Sequence, residues 1–250
     1  MTTTVDVMSC QQLDLRLCKI LRIKQLITGH LYPSKLRLSR DNSLFIYSLL
    51  VDCYHDEVDH AMLSLLTTVE QRRFMSYLDR NTAYNFLLGR LLMRRGIADV
   101  VNTDLSLVTI VQETPMSKPI SPFAFFNISH TQNLLVGAFS RVLDCGIDVE
   151  DSSLILDFHG IVEYWFPHEF RDAFFKLPLQ LRLDYFYRVW SYLEATGKLY
   201  GRGLGTFSMS IGDEFNYRLS FAKTPYTGHL AVSSSPICAS SVASNQACTR

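Results

Sequence analysis

The sequence predicts an α+β fold made of two similar halves facing each other, and three observations carry that prediction. Short β-branched and aromatic runs alternate with two long stretches of helical period, so strands and helices are mixed along the chain. The two helical stretches end on related strings, LGRLLMRRG (88–96) and TGKLYGRG (196–203), and strand pattern follows each. With 250 residues and 48% hydrophobic composition, the chain can bury a core for one large domain or two lobes. The expected division is an N-terminal half over 1–143, a C-terminal half over 144–234 and a mobile tail over 235–250.

Taken in order, residues 44–51 (LFIYSLLV) read as a buried strand, and the polar stretch from Asp52 to His60 leads into helix. From Thr68 to Arg95, apolar residues Phe74, Leu78, Leu87, Leu88, Leu91 and Leu92 recur at helical spacing, with Gly96 as the stop signal. LSLVTIV (105–111) reads as a strand, and Pro115, Pro119 and Pro122 punctuate a loop. NLLVGAFS (133–140) and CGIDVE (145–150) read as two strands joined by a tight turn. Helical pattern resumes near Leu156, Pro167 suits a first helical turn, and a long helix from Leu179 to Tyr200 ends at Gly201, Gly203 and Gly205. The closing strands are 206–211, 216–221 and 229–233, with Gly212-Asp213 as a hairpin turn.

Lys plus Arg and Asp plus Glu number 24 each, so no global field attracts nucleic acid or an anionic membrane. Any anionic ligand must be held by a local cluster. Cys10, Cys18, Cys53, Cys145, Cys238 and Cys248 fall in no metal-binding spacing, and no stretch approaches the roughly 20 apolar residues of a membrane helix. A cytoplasmic monomer without nucleic-acid or membrane partners is expected.

Asp148 and Glu150 lie two apart in a strand, which puts both carboxylates on one face, where they suit a hard divalent cation such as Mg²⁺. Taken alone, such a pair is more often a solvated strand end. Glu194 and Lys198 share a helical face, and by themselves they make an ordinary ion pair. Tyr187 and Trp190 lie on the same side, so reduced solvation of Glu194 would raise its pKa and suit it to act as a base. Asn127 to His130 form a polar break before the strand at Leu134, able to present Ser129 and His130 to an anion. Lys118 is a Pro-flanked loop lysine, and Arg72, Arg73, Arg80, Arg90, Arg94 and Arg95 are mainly solvated helix-face charges, with one or two expected to turn to a cleft.

The set is more specific than its members. RRF (72–74), LLGR (87–90), SKP (117–119), FNISH (126–130), GIDVE (146–150) and VWSYLEATGKLYGRGL (189–204) together resemble the Sfp-type 4'-phosphopantetheinyl transferases. The resemblance implies two pseudo-symmetric α+β halves with coenzyme A in the cleft between them and the metal site in the C-terminal half. It implies Asp148, Glu150 and Glu194 as Mg²⁺ ligands, Glu194 and Lys198 as catalytic groups, and Lys118, Ser129, His130 and Lys198 as contacts to coenzyme A. Arg72 or Arg80 is expected to take over the 3'-phosphate, since Asn85 stands where the family has arginine. Leu193 replaces a family lysine.

The function implied is Mg²⁺-dependent transfer of the phosphopantetheine arm to a serine of an apo acyl or peptidyl carrier protein, releasing 3',5'-ADP. The carriers would serve fatty-acid, polyketide or nonribosomal-peptide assembly. The alternative, motivated by Leu193 and the missing basic residues, is a coenzyme A or carrier-protein binding module with weak or lost turnover.

Overall fold

Eight strands pair into two four-stranded sheets in a computed structural model that describes residues 3–7, 31–37, 43–51, 60–112, 114, 117–154, 157–201, 214–221 and 225–233. The first sheet runs β2 (Leu31–Arg37), β3 (Ser43–Leu50), β5 (Leu134–Ser140), β4 (Phe125–Thr131), with every neighbour antiparallel. The second runs β1 (Thr3–Val7), β7 (Glu214–Phe221), β8 (Tyr226–Ser233), β6 (Cys145–Asp151), and only β1 and β7 are parallel. Because β1 comes from the start of the chain, the second sheet draws on both ends of the sequence.

The connectivity repeats. A strand (β3), a helical region and a hairpin (β4, β5) give the order β3-β5-β4, and β6, a second helical region, β7 and β8 give β6-β8-β7. The first helical region holds α1 (His60–Ser64), α2 (Thr68–Ser76) and α3 (Arg80–Val101). The second holds α4 (Phe158–Trp165), α5 (His168–Lys176) and α6 (Leu179–Leu199). Mixed helix and sheet in this arrangement is the expected α+β class.

Period-2 side-chain alternation explains the layers. Leu135 and Phe139 of β5 face the leucines of α3, whereas Leu134, Val136 and Ala138 face Ile147 and Val149 of β6 and Leu230 and Val232 of β8. With both faces covered, β5 is buried at all seven positions, which is why NLLVGAFS is a nearly unbroken apolar run. On β6 the odd positions enter this shared core, leaving Gly146, Asp148 and Glu150 on the face that α6 covers. A Cβ on Gly146 would stand 2.0 Å from the Ala195 carbonyl oxygen, so this glycine lets β6 approach α6 closely.

Three local expectations are corrected. Gly96 does not stop α3, which continues to Val101 and ends on Asn102 in the left-handed region. Its role is close packing, since a Cβ there would meet the Phe139 ring at 2.4 Å. LSLVTIV is not a strand: Asp104 caps a short 3-10 turn at Leu105–Leu107, and only Val111 forms a bridge, with Ile120. A local side-chain cap there outweighs β propensity. FNISH is not a loop break; it is β4 itself. The expected strand at 206–211, the Gly212-Asp213 turn and the tail at 235–250 lie outside the described residues. No helix among the described residues is long and apolar enough to cross a membrane.

Candidate active site

The two sheets meet along a polar seam. β4 and β6 are both the last strand of their sheets, so each has an edge without a backbone partner in its own sheet. Asn127, Ser129 and Thr131, all on one face of β4, accept from the backbone N–H groups of Ile147 (3.1 Å), Val149 (3.4 Å) and Asp151 (3.2 Å). Side chains thus complete the β6 edge at every second residue and fix the register between the sheets.

At the centre of the seam, the Ser129 hydroxyl donates to Asp148 Oδ1 (2.9 Å). Lys198, reaching in from α6, donates to the same carboxylate oxygen (2.6 Å) and to Ser129 Oγ (3.1 Å). Two residues further along β6, Glu150 accepts from Trp190 Nε1 (3.0 Å). Glu194 stands on α6 one turn before Lys198 and is half-buried. Burial, followed by the Asp148 charge, pushes the Glu150 carboxyl up to about 7, against the opposing pull of Trp190 and Lys198. Burial also raises Glu194, with Asp148 adding to the shift and Lys198 opposing it.

The donor set fits a hard divalent cation. Asp148 Oδ2 is buried with no hydrogen-bond partner, the Asp148 charge disfavours the ionised forms of Glu150 and Glu194, and Glu194 adds to the effect on Glu150. No group of three His, Cys, Asp or Glu among the described residues is already close enough to hold a metal ion. In this arrangement Lys198 is a cation that Asp148 holds.

Two adjoining cavities open beside this cluster, sharing Met93, Pro119 and Ile128. One, of about 340 Å³, is lined by Lys118 and Asn127 on one wall and by Gly197, Lys198 and Gly201 on the other. The second, of about 420 Å³, is lined by Arg73, Asn85, Arg90, Gln112 and His130. Ser129, Asp148, Glu150, Glu194 and Lys198 come together as expected, and Lys118 and His130 line the cleft. Lys118 also lies 4.0 Å from Asp144.

Arg72 does not line the cleft. It is exposed on α2, while its neighbour Arg73 lines the cavity with its guanidinium 5.0 Å over the Phe86 ring. Arg90 is a second cavity residue, so Arg73 and Arg90 are the two of the six helix arginines that turn to the cleft. Arg90 is buried against Glu70 (3.4 Å), and Glu70 also holds Arg94 (2.7 Å). The signal was available in helical phase, because Arg90 and Arg94 alternate with buried leucines on α3. The seam roles of Asn127 and Thr131 are equally hidden in the sequence, because polar residues at alternate strand positions imitate a loop. Leu193 faces away from the cleft into the aromatic core with Phe166, Phe174 and Phe186, so its side chain packs rather than leaving a vacant phosphate contact.

A family model described as the 4'-phosphopantetheinyl transferase superfamily matches residues 144–245. The chain is 29% identical over 180 residues to 4'-phosphopantetheinyl transferase ffp of Bacillus subtilis, covering 70% of this chain and 76% of that protein. It is 28% identical over 178 residues to 4'-phosphopantetheinyl transferase Sfp of Bacillus subtilis (strain 168), with the same coverage of 70% and 76%. Against 4'-phosphopantetheinyl transferase gsp of Aneurinibacillus migulanus it is 30% identical over 155 residues, 60% of this chain and 63% of that one. The match over residues 144–245 and the relatives named 4'-phosphopantetheinyl transferase, Sfp among them, support a transferase enzyme similar to the Sfp-type 4'-phosphopantetheinyl transferases.

Proposed function

We propose that this enzyme transfers the 4'-phosphopantetheine arm of coenzyme A to a serine of an apo acyl or peptidyl carrier protein, releases 3',5'-ADP, and requires Mg²⁺. The observation that carries the reading is the Asp148, Glu150, Glu194 and Lys198 cluster at the mouth of a cleft walled by further cations. The halves divided at 143/144 would each supply one wall.

Asp148, Glu150 and Glu194 would hold Mg²⁺, which when bound would neutralise part of the pyrophosphate charge. Lys198 and Lys118 line one cavity and suit the pyrophosphate, while Arg73, Arg90 and His130 line the other and suit the 3'-phosphate. Glu194 is a base whose burial strengthens it, and it would take the proton from the carrier serine hydroxyl. The serine oxygen forms its bond to the phosphorus bearing the pantetheine arm as the bond to the bridging oxygen breaks. Lys198 would stabilise the departing phosphate oxygen of 3',5'-ADP.

A small acidic carrier would dock beside α5 and the start of α6, where Phe175, Leu179 and Leu181 are exposed next to Lys176. Phe174, next to Phe175 in the chain, is fully buried and takes no part in that surface. The enzyme would work as a cytoplasmic monomer in fatty-acid, polyketide or nonribosomal-peptide assembly.

Glu194→Gln tests the assignment by measuring transfer of labelled phosphopantetheine. A fall of about a hundredfold or more is expected from loss of the base. Near-normal transfer would remove both Glu194 roles.

A further inference from the structure

We propose that His229 is a positioning residue: through its hydrogen bond to Ser191 it seats α6 on β8 and so sets where Glu194 and Lys198 stand against β6. This inference rests on the transferase reading above.

Ser191, Glu194 and Lys198 are spaced i, i+3, i+7, so they form one stripe of α6, turned toward the sheet. The Ser191 hydroxyl lies 2.8 Å from His229 Nδ1, and both residues are buried. In the pairing of β6 with β8, His229 stands opposite Asp148, so a helix seated on His229 is seated relative to Asp148 as well. Ala195 and Leu199 of α6 also pack on Ala231 of β8. That contact is apolar and non-directional, and it leaves the rotation of the helix about its own axis open. The hydrogen bond between two buried side chains fixes it.

The direction of the bond follows from the protons available. Ser191 Oγ lies 2.8 Å from the Tyr187 carbonyl oxygen, which has no proton to give, so the hydroxyl donates there. His229 then donates from Nδ1 to the hydroxyl oxygen. The ring is neutral, since burial, followed by the Arg218 and Arg188 charges, lowers it to about 4. Neither Ser191 nor His229 lines either cavity of the cleft. By contrast, α6 is tied to β6 through Glu150 and Lys198, groups assigned above to the metal and the pyrophosphate. The tie to β8 is independent of what occupies the cleft, as a positioning contact requires.

The test compares Ser191→Ala, His229→Leu, His229→Asn and Tyr47→Phe. Alanine favours helix, so Ser191→Ala removes the bond without weakening α6 itself. His229→Asn places an amide N–H near the Nδ1 position and keeps a donor for Ser191. Tyr47→Phe removes a hydrogen bond to Asp99 in the other half and controls for general loosening. The first readout needs no turnover: Trp190 Nε1–H, one residue before Ser191 and bonded to Glu150, followed by NMR in metal-free protein without coenzyme A. It should exchange with solvent about tenfold faster in Ser191→Ala and His229→Leu, and at the wild-type rate in the other two. In the transfer assay, kcat should fall about tenfold to a hundredfold in Ser191→Ala and in His229→Leu. Combining those two should cost no more than either alone, because both remove the same bond. His229→Asn should recover most of kcat, and Tyr47→Phe should keep nearly all of it. Unchanged Trp190 exchange in both Ser191→Ala and His229→Leu would overturn the proposal. Equal kcat losses in His229→Asn and His229→Leu would overturn it in favour of simple packing by the ring. Absence of transfer by the wild-type protein would count against the transferase reading, and Trp190 exchange would still decide whether His229 seats α6.

Discussion

Glu150 shows how much one residue's surroundings decide. It shares a strand face with Asp148 and is half-buried beside Trp190, so its carboxyl is pushed up to about 7, well above the usual carboxylate range. The folded state therefore binds this proton more tightly than the unfolded state does. Stability from this group is present below the unfolded value and is lost as pH rises through about 7. His229 slopes the other way: burial beside Ser191 lowers it to about 4, so its contribution is lost as pH falls from 6.5. The two windows overlap, so the informative quantity is the difference between wild type and Glu150→Gln. Thermal unfolding without divalent metal should show wild type losing stability relative to Glu150→Gln as pH rises from about 5 to about 7.5. Added Mg²⁺ should raise the wild-type midpoint more at the higher pH, where the carboxylates are ionised.

At the level of elements, the site depends on β4, β6 and α6 being held at fixed separations by small polar groups and one glycine. Asn127→Ala leaves the buried Ile147 N–H without its acceptor and should cost about 1–3 kcal/mol in urea unfolding. Gly146→Ala places a Cβ 2.0 Å from a backbone oxygen of α6, a clash that no side-chain rotation relieves. That variant should lose about 1–3 kcal/mol or more and, by shifting Lys198 away from Asp148, most of its transfer activity. These elements were unevenly legible in the sequence. Long helices and the doubly covered strand β5 announce themselves through period and unbroken hydrophobicity. β4 does not, because Asn127, Ser129 and Thr131 are polar for the sake of the neighbouring sheet, and polar residues in a strand imitate a loop. Gly96 misled for a related reason, since a glycine chosen for contact with Phe139 looks the same in sequence as one that ends a helix.

For the whole molecule, charge is balanced, so the proposed attraction to an acidic carrier would have to come from a local patch, for which Lys176 beside Phe175 is the proposed place. Raising salt should lower kcat/KM for an acidic carrier while leaving kcat nearly constant, which steady-state kinetics over a salt series would show. The candidate cluster itself is legible because its strings, GIDVE and WSYLEATGK, place acidic and basic residues at fixed strand and helix periods. Arg73 in place of Arg72 was not, because one residue on a helix turns a side chain by about 100° and only tertiary packing decides which arginine meets the cleft. The central claim is that the carboxylate cluster and the cleft together perform metal-dependent transfer. Its most direct test is to incubate the protein with coenzyme A and an apo carrier, with Mg²⁺ or with EDTA, and to measure modified carrier and 3',5'-ADP together. Equal amounts of both products, formed with Mg²⁺ and abolished by EDTA, are predicted. Stoichiometric coenzyme A binding without either product would contradict the claim and leave a binding module.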